Sequence, residues 1–114
     1  MESLAARHCV PCHGGVPRLT GEEVAPLLAE LRGWEVGGEH HHLSKGFKST
    51  NFADALEFVN RVGRLAEAEG HHPDVAFGWG YARLTLYTHA IDGLSESDFI
   101  LAAKIDEMEV NGDG

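Results

Sequence analysis

Residues 82–89, ARLTLYTH, carry the clearest strand pattern in the sequence. Leu84 and Leu86 fall on one side of the alternation with Thr88. A more polar set falls on the other side: Arg83, Thr85, Tyr87 and His89. Successive side chains of a strand point to opposite faces of a sheet. The pattern therefore predicts a strand that packs on a core through its leucines and leaves His89 on the open face or rim.

Shorter strand patterns around this segment predict two hairpins. The four strands are predicted at residues 34–36, 40–49, 75–79 and 82–89, with turns at Gly37-Gly38 and Gly80-Tyr81. Leu43, Lys45 and Phe47 share one face of the second strand. The lysine among the apolar residues makes the apolar–polar alternation of this strand mediocre. The hairpins are nevertheless the simplest arrangement of these four segments.

A capping box predicts the first helix. Thr20 stands three residues before Glu23, and an apolar stripe follows it: Val24, Leu27, Leu28 and Leu31. Gly33 is a natural stop. A proline deep in a helix is costly, so Pro26 favours a start nearer Glu23.

Two more helices have clear boundaries. Asn51 is a good cap for a helix that runs to about Glu69 and stops at Gly70. Its apolar face is predicted to comprise Phe52, Ala55, Leu56, Val59, Val62 and Ala66. Ser95 and Asp98 have the spacing of a helix start, and residues 110–114 are expected to fray.

The element order predicts an α+β fold. Two hairpins separated by a helix favour one four-stranded antiparallel sheet with helices packed on one face, in the order α-β-β-α-β-β-α. With 114 residues the chain suits one domain. Residues 1–19 contain Pro11, Pro17 and Gly14-Gly15 and are predicted to be an irregular segment. Residues 20–114 are predicted to be the single folded domain.

Charge and composition exclude several classes of partner. Nine Lys and Arg against eighteen Asp and Glu give a net charge of −9, which disfavours binding to nucleic acid or anionic membranes. No apolar run is long enough to span a membrane, and no secretory signal is seen at the start. A cytoplasmic location is the expectation. Eight histidines are the one unusual count.

A histidine corner follows the second helix. His71, His72 and Pro73 come after Glu67 and Glu69, at the negative end of a helix dipole. Pro73 holds His72 in an extended backbone, so two imidazoles occupy a rigid corner. The same residues also fit a polar helix end with solvated histidines, and the local pattern does not decide between the two.

The histidine corner makes His89 a stronger candidate for a site residue. A lone histidine at a strand end is usually just an exposed residue. Two other histidines one hairpin earlier make a shared site on the open face of the sheet reasonable, and His, Tyr and Thr side chains there suit a flat polar ligand.

A literal C-x-x-C-H motif occurs near the start, at Cys9, Cys12 and His13. Attachment of c-type haem is rejected because it requires export and a helical scaffold around the ring. A zinc site that adds His8 is a weaker alternative, since adjacent Cys12 and His13 rarely reach one metal. Two free thiols in a loop is the favoured interpretation.

Three consecutive histidines, His40, His41 and His42, precede the second strand's apolar residues. Strand alternation would put His40 and His42 on one face and His41 on the other. Such a pair could bind a metal during purification, but an exposed polar strand is the favoured interpretation.

Taken together, the spacing of several residues resembles the signature of the pterin-4a-carbinolamine dehydratase family. The pattern is Glu67-x-x-x-His71-His72-Pro73, then Trp79, His89 and Asp98. Further similarities are Leu31-Arg-Gly33-Trp34, the segment 84–89 and Gly93-Leu94-Ser95. The resemblance covers roughly residues 18–108.

The resemblance implies an enzyme that removes water from 4a-hydroxytetrahydropterins and returns the quinonoid dihydropterin, which recycles the pterin cofactor of aromatic amino acid hydroxylases. It implies the α+β fold, a homodimer or homotetramer, a small pterin substrate, and neither a metal nor an organic cofactor. By position, the catalytic residues would be His71, His72 and His89. General acid and base groups that titrate near neutrality suit this elimination.

Supporting roles are also implied. Glu67 would orient or charge His71, and Pro73 would bracket the pterin ring together with the segment Thr88, Ala90 and Ile91 around His89. Trp79 would form a wall of the site or belong to the core, and a place in the core or as a support is favoured. Asp98 is expected to cap the last helix.

Two other functions stay open. Relatives in this family also act as partner proteins for transcription factors or in enzyme assembly, so a non-catalytic partner on the same fold is the alternative. Three retained histidines favour the enzyme. A metal-binding domain is the weakest hypothesis.

Overall fold

A four-stranded antiparallel sheet forms the centre of the structure, a computed structural model that describes residues 3–9 and 17–112. The strands are β1 (Glu35–Gly37), β2 (His42–Lys48), β3 (Asp74–Gly78) and β4 (Tyr81–Leu86). The helices are α1 (Gly21–Leu28), α2 (Phe52–Glu69) and α3 (Glu96–Gly112), with short 3-10 helices at Leu4–Ala6 and His89–Ile91. The predicted α+β fold and element order are confirmed.

The strands lie in the order β1-β2-β4-β3, so β3 is an edge strand. Opposite residues of β2 and β4 form the core face: Leu43 with Leu86, Lys45 with Leu84, and Phe47 with Ala82. These positions are largely buried, whereas Arg83 of β4 is exposed on the other face. The alternation read from residues 82–86 therefore sets which face packs on the helices.

Helix α3 is the most buried helix of the domain. Nearly every residue from Phe99 to Asp106 is buried, and the core is completed by residues of the sheet and of α2. On α2, Ala55, Val62 and Ala66 are buried as predicted. Phe52 and Leu56, which were predicted on the same face, are 48% and 39% exposed and are not part of the core.

The first helix differs from its prediction at both ends. It starts at Gly21, and the capping box at Thr20 and Glu23 is confirmed, with N–H···O distances of 2.8 and 3.3 Å. Pro26 lies inside the helix, so the expected start nearer Glu23 is wrong. The helix ends at Leu28, and turns continue the chain to Gly33. A helix this short is stabilised mainly by packing of its buried face, so further helical turns would add little stability.

Strand β4 is shorter than the sequence pattern indicated. It ends at Leu86, and the chain then folds back so that the Thr88 N–H donates to the Gly93 carbonyl at 2.8 Å. His89 therefore begins a 3-10 helix and does not continue the strand. At the far end, α3 extends to Gly112, so residues 110–112 are helical and not frayed.

The N-terminal residues pack on the domain. Leu4 is buried in the main core, and Lys104 of α3 donates to the Ala5 carbonyl at 2.8 Å. Residues 4–6 form a 3-10 helix, so the segment is not irregular throughout. The domain boundary at residue 20 stays a prediction.

Within the described residues, no helix combines the length and apolar character needed to cross a membrane.

Candidate active site

The histidine corner is built by the end of α2. Gly70 takes a left-handed backbone, with φ of 67°, and its N–H donates to the Ala66 carbonyl. Glycine adopts this conformation without the steric cost that a side chain brings. Only three residues, His71 to Pro73, lie between Gly70 and β3, so both imidazoles lie on a short connection fixed at its two ends.

His71 is held by a buried carboxylate. Its Nε2 lies 2.6 Å from Oδ1 of Asp98, a residue with no exposed surface. The second oxygen of Asp98 accepts hydrogen bonds from the Thr88 hydroxyl at 2.8 Å and from the Ser95 N–H at 2.9 Å. The carboxylate thus joins three segments of the chain: the corner after α2, the end of β4 and the start of α3.

Asp98 performs two tasks in this arrangement. The bond from the Ser95 N–H is the capping contact expected at the start of α3. Its contact with His71 was not predicted. The Ser-x-x-Asp spacing explains the cap fully, and no local pattern reveals that the same side chain reaches a residue 27 positions earlier.

His72 has a different partner and a different environment. Its Nε2 lies 2.5 Å from Oε2 of Glu67, and both side chains are mostly exposed. The expectation that Glu67 would orient or charge His71 is therefore wrong. The left-handed turn at Gly70 sends the His71 ring inward to Asp98 and leaves His72 on the outside beside Glu67.

His89 lies next to this network along the chain. Thr88, which precedes it, is 2% exposed and acts through Asp98 rather than facing solvent. The His89 side chain is exposed, and its ring centroid lies 4.2 Å from that of Tyr87. Ala90 is exposed and Ile91 half-buried, and Arg18 Nε donates to the Ile91 carbonyl at 3.1 Å.

Trp79 lies away from the other predicted site residues. It is 72% exposed, so the expectation that it belongs to the core is wrong. It follows the far end of β3, about 16 Å from the Pro73 end at the usual rise of a strand. Pro73 itself is half-buried beside the two histidines.

The three-histidine run differs from its predicted strand. His40 and His41 lie in the turn between β1 and β2, with a φ of 69° at His40, and only His42 belongs to β2. Strand alternation therefore does not apply to them. His41 reaches Asp92, with Nε2 and Oδ1 2.8 Å apart, a contact that the sequence pattern did not indicate.

Cys9 of the C-x-x-C-H motif packs near the start of α3 and the end of α2. Its N–H donates to Glu69 at 2.9 Å and its thiol to the Ser97 carbonyl at 3.5 Å. Burial, reinforced by the Glu69 charge, raises the pKa of the thiol to about 11. Cys12 and His13 lie outside the described residues. Among those that the structure describes, no group of three or more metal-ligating side chains is arranged around one point.

Comparisons with known proteins agree over most of the chain. A family model described as pterin 4 alpha carbinolamine dehydratase matches residues 17–108. A Rubrobacter xylanophilus protein provisionally named pterin-4-alpha-carbinolamine dehydratase is 58% identical over 108 residues, which cover 95% of this chain and 100% of the relative. A Methylococcus capsulatus protein of the same provisional name is 51% identical over 106 residues, 93% of each chain.

Two solved structures share the architecture. A Brucella melitensis transcriptional coactivator/pterin dehydratase superposes with a TM-score of 0.75 at 29% identity, over 81% of this chain and 98% of that one. A pterin dehydratase-like RuBisCO assembly factor of the alpha-carboxysome gives 0.58 at 28% identity, over 68% and 89%. Because the family model spans the sheet, the first two helices and most of α3, this chain belongs to the pterin 4 alpha carbinolamine dehydratase family.

Proposed function

We propose that this protein catalyses the dehydration of 4a-hydroxytetrahydropterins to quinonoid dihydropterins, in the recycling of the pterin used by aromatic amino acid hydroxylases. The observation that carries the proposal is the buried pair of His71 and Asp98, tied through Thr88 to the segment that presents His89. A chain of this family that retains such a network has the groups that the elimination requires.

The reaction needs one proton removed and one proton delivered. The bond from C4a to the hydroxyl oxygen breaks, a ring nitrogen loses its proton, and the nitrogen electrons form the new double bond to C4a. The hydroxyl leaves as water after it receives a proton. Acid and base catalysis at these two positions contributes roughly 10²–10⁴-fold each.

We assign the base to His71. The Asp98 carboxylate accepts a hydrogen bond from Nε2 in the tautomer that carries the proton there, and that neutral ring presents Nδ1 as the proton acceptor. The Asp98 carboxylate fixes the orientation of the ring and offers a negative charge to it when it takes up the proton. The proton donor to the hydroxyl is then His72 or His89, and Pro73, Ala90 and Ile91 would contact the pterin.

The test is a rapid assay on freshly generated 4a-hydroxytetrahydropterin, with dehydration followed spectroscopically. We expect the wild-type protein to accelerate the reaction and His71→Ala to lose about 10²–10⁴-fold in kcat. Of His72→Gln and His89→Gln, the variant with the larger loss in kcat identifies the donor. His40→Asn is the matched control, because it removes an imidazole elsewhere and asparagine accepts a left-handed backbone.

Full activity in both His71→Ala and His89→Ala would contradict the proposed site. A folded wild-type protein with no acceleration would favour the second candidate, a non-catalytic partner protein. That candidate is supported by the names of the two structural relatives, a transcriptional coactivator/pterin dehydratase and a RuBisCO assembly factor. It is also supported by exposed apolar side chains of this chain, Phe52, Leu56, Val75, Trp79 and Tyr81.

A further inference from the structure

His89 is the first of three rings in contact, which lie past the end of β4 and in the turn between β1 and β2. The Tyr87 ring lies between two imidazoles, with its centroid 4.2 Å from His89 and 4.6 Å from His41. The interplanar angles are 58° and 38°, so the rings are tilted against each other. Contacts at these distances favour one orientation of each ring.

Two hydrogen bonds fix the last ring of the series. Nε2 of His41 lies 2.8 Å from Asp92 Oδ1, and Nδ1 lies 3.1 Å from Nδ1 of His42. A neutral His41 that donates Nε2–H to the carboxylate accepts from the His42 Nδ1–H, so both of its nitrogens are used. His42 packs closely over Gly37, where an added Cβ would lie 2.6 Å from its Nε2.

The acceptor Asp92 belongs to the loop that carries His89. Its N–H donates to the His89 carbonyl at 3.2 Å, and its φ of 51° places it in the left-handed region. The hydrogen bond from His41 is the first cause of the lowered pKa of the Asp92 carboxyl. His41 therefore touches this loop twice, through the Tyr87 ring and through the Asp92 side chain.

We propose that His41 and Tyr87 are positioning residues that hold the His89 imidazole in its productive orientation, with Asp92 as the anchor of His41. The proposal rests on the proposed dehydratase function. His89 is an exposed side chain on a three-residue 3-10 helix, so its ring is free to rotate. Proton transfer requires one particular orientation of that ring. A misplacement of about 1 Å can cost about a hundredfold in rate.

Activity measurements on His41, Tyr87 and Asp92 variants test the proposal. We expect Tyr87→Leu to lower kcat about ten- to hundredfold with a smaller change in KM. His41→Phe keeps a ring beside Tyr87 but loses the hydrogen bond to Asp92. Asp92→Gly keeps the left-handed backbone but loses the carboxylate. Both variants should lose less kcat than Tyr87→Leu. Asp92→Asn, which still accepts from His41, should restore most of the activity.

Double variants separate positioning from a general effect on the fold. In a His89→Ala background, Tyr87→Leu and His41→Phe should cause no further loss in kcat, because they act through the missing ring. If either substitution lowered kcat in the His89→Ala background by the same factor as in the wild-type protein, the proposal would be overturned. A wild-type kcat in Tyr87→Leu would also overturn it. The control is again His40→Asn, whose imidazole faces Gly21 at the start of α1.

An NMR measurement decides the contact independently of activity. The Cε1–H resonance of His89 in the wild-type protein should carry the ring-current shift of Tyr87 and move in Tyr87→Leu, with Tyr87→Phe close to wild type. An unchanged resonance in Tyr87→Leu would overturn the proposal even in an active enzyme. An inactive wild-type protein whose His89 resonance responds would instead refute the dehydratase function and retain the ring contact.

Discussion

Two adjacent histidines of this chain have opposite surroundings. His71 is mostly buried against Asp98, whereas His72 is mostly exposed against Glu67. An exposed polar contact of this kind is worth little, and any charge interaction in it is screened by salt. The geometry of His71 is therefore set by the fold, while that of His72 is set mainly by its backbone between Gly70 and Pro73.

The sequence predicted which side chains to examine but not how they pair. The residue pattern marked the corner and the strand end as candidates, and the resemblance to the dehydratase family implied His71, His72 and His89 as the catalytic residues. The partner of His71 depends on the left-handed turn at Gly70 and on the burial of Asp98, and both are three-dimensional facts. Likewise, the alternation that runs through residues 82–89 continues past Leu86, where the chain actually leaves the sheet. The contact of His41 with Asp92 was not predicted, because residues in a turn do not follow the alternation of a strand.

The raised pKa of Cys9 predicts that its thiol reacts slowly with alkylating reagents. A shift from 9.0 to about 11 lowers the thiolate fraction at pH 8 about a hundredfold, and the thiolate is the reactive form. In a Cys12→Ser background, we expect iodoacetamide to modify folded Cys9 about a hundredfold more slowly than the same chain in urea, followed by mass spectrometry. Equal rates in the two conditions would show that Cys9 is not buried as described.

Strand β2 and helix α3 are joined by a buried ion pair. Lys45 Nζ lies 2.9 Å from Asp106 Oδ1, on the core side of the sheet. Asp106 also accepts the Trp34 indole N–H at 2.9 Å and the Arg32 N–H at 3.0 Å. This pairing explains why a lysine interrupts the apolar face of β2 between Leu43 and Phe47.

Removal of one partner of this pair should destabilise the protein strongly. Asp106→Ala removes the buried carboxylate that balances the Lys45 charge and accepts the Trp34 N–H, and we expect a loss of about 3–5 kcal/mol in the free energy of unfolding. Urea unfolding monitored by circular dichroism measures it. The exposed pair of Arg64 and Glu57 offers a matched control, since Glu57→Ala should cost less than about 1 kcal/mol. Similar losses in the two variants would contradict the role given to Asp106.

The elements themselves were predictable where caps and glycines mark their ends. Asn51 and Gly70 bound α2 as expected, and Asn51 accepts the Asp54 N–H at 2.8 Å. The C-terminal ends of α1 and α3 were not predictable, because tertiary packing decides how far a helix continues after its N-terminal cap has formed.

At the scale of the whole molecule, Glu69 joins three separate parts of the chain. Its side chain is 9% exposed, accepts the Cys9 N–H, pairs with His8 and lies 3.8 Å from Lys104 Nζ. The Cys9 hydrogen bond is the first cause that lowers the pKa of Glu69 from 4.5. The N-terminal segment, the end of α2 and the middle of α3 are thereby held together next to the histidine corner.

The lowered pKa of Glu69 predicts an acid-sensitive contribution to stability. Because the folded pKa lies below the unfolded value of 4.5, the contribution is complete above that pH and is lost as the pH falls through the folded pKa. We expect Glu69→Gln to be less stable than wild type at pH 7 and the difference to shrink as the pH falls below about 4.5, by urea unfolding at a series of pH values. A difference independent of pH would contradict the assignment.

Self-association is the last property to be tested on the whole molecule. Strand β3 is an edge strand, and an open edge with unpaired backbone groups favours pairing with another chain. Phe52 packs beside Phe77 with ring centroids 5.5 Å apart, close to the exposed Val75 on the same strand. We therefore expect a homodimer or homotetramer that uses this edge.

Sedimentation at micromolar concentrations should show an assembly larger than one chain. Val75→Lys places a charge on the apolar edge and should shift the equilibrium toward monomer by at least tenfold in Kd, since it buries an unpaired charge in the contact. Glu22→Lys changes charge at the exposed start of α1, away from β3, and should leave the assembly intact. A monomeric wild-type chain, or equal effects of the two substitutions, would show that this edge is not where copies meet.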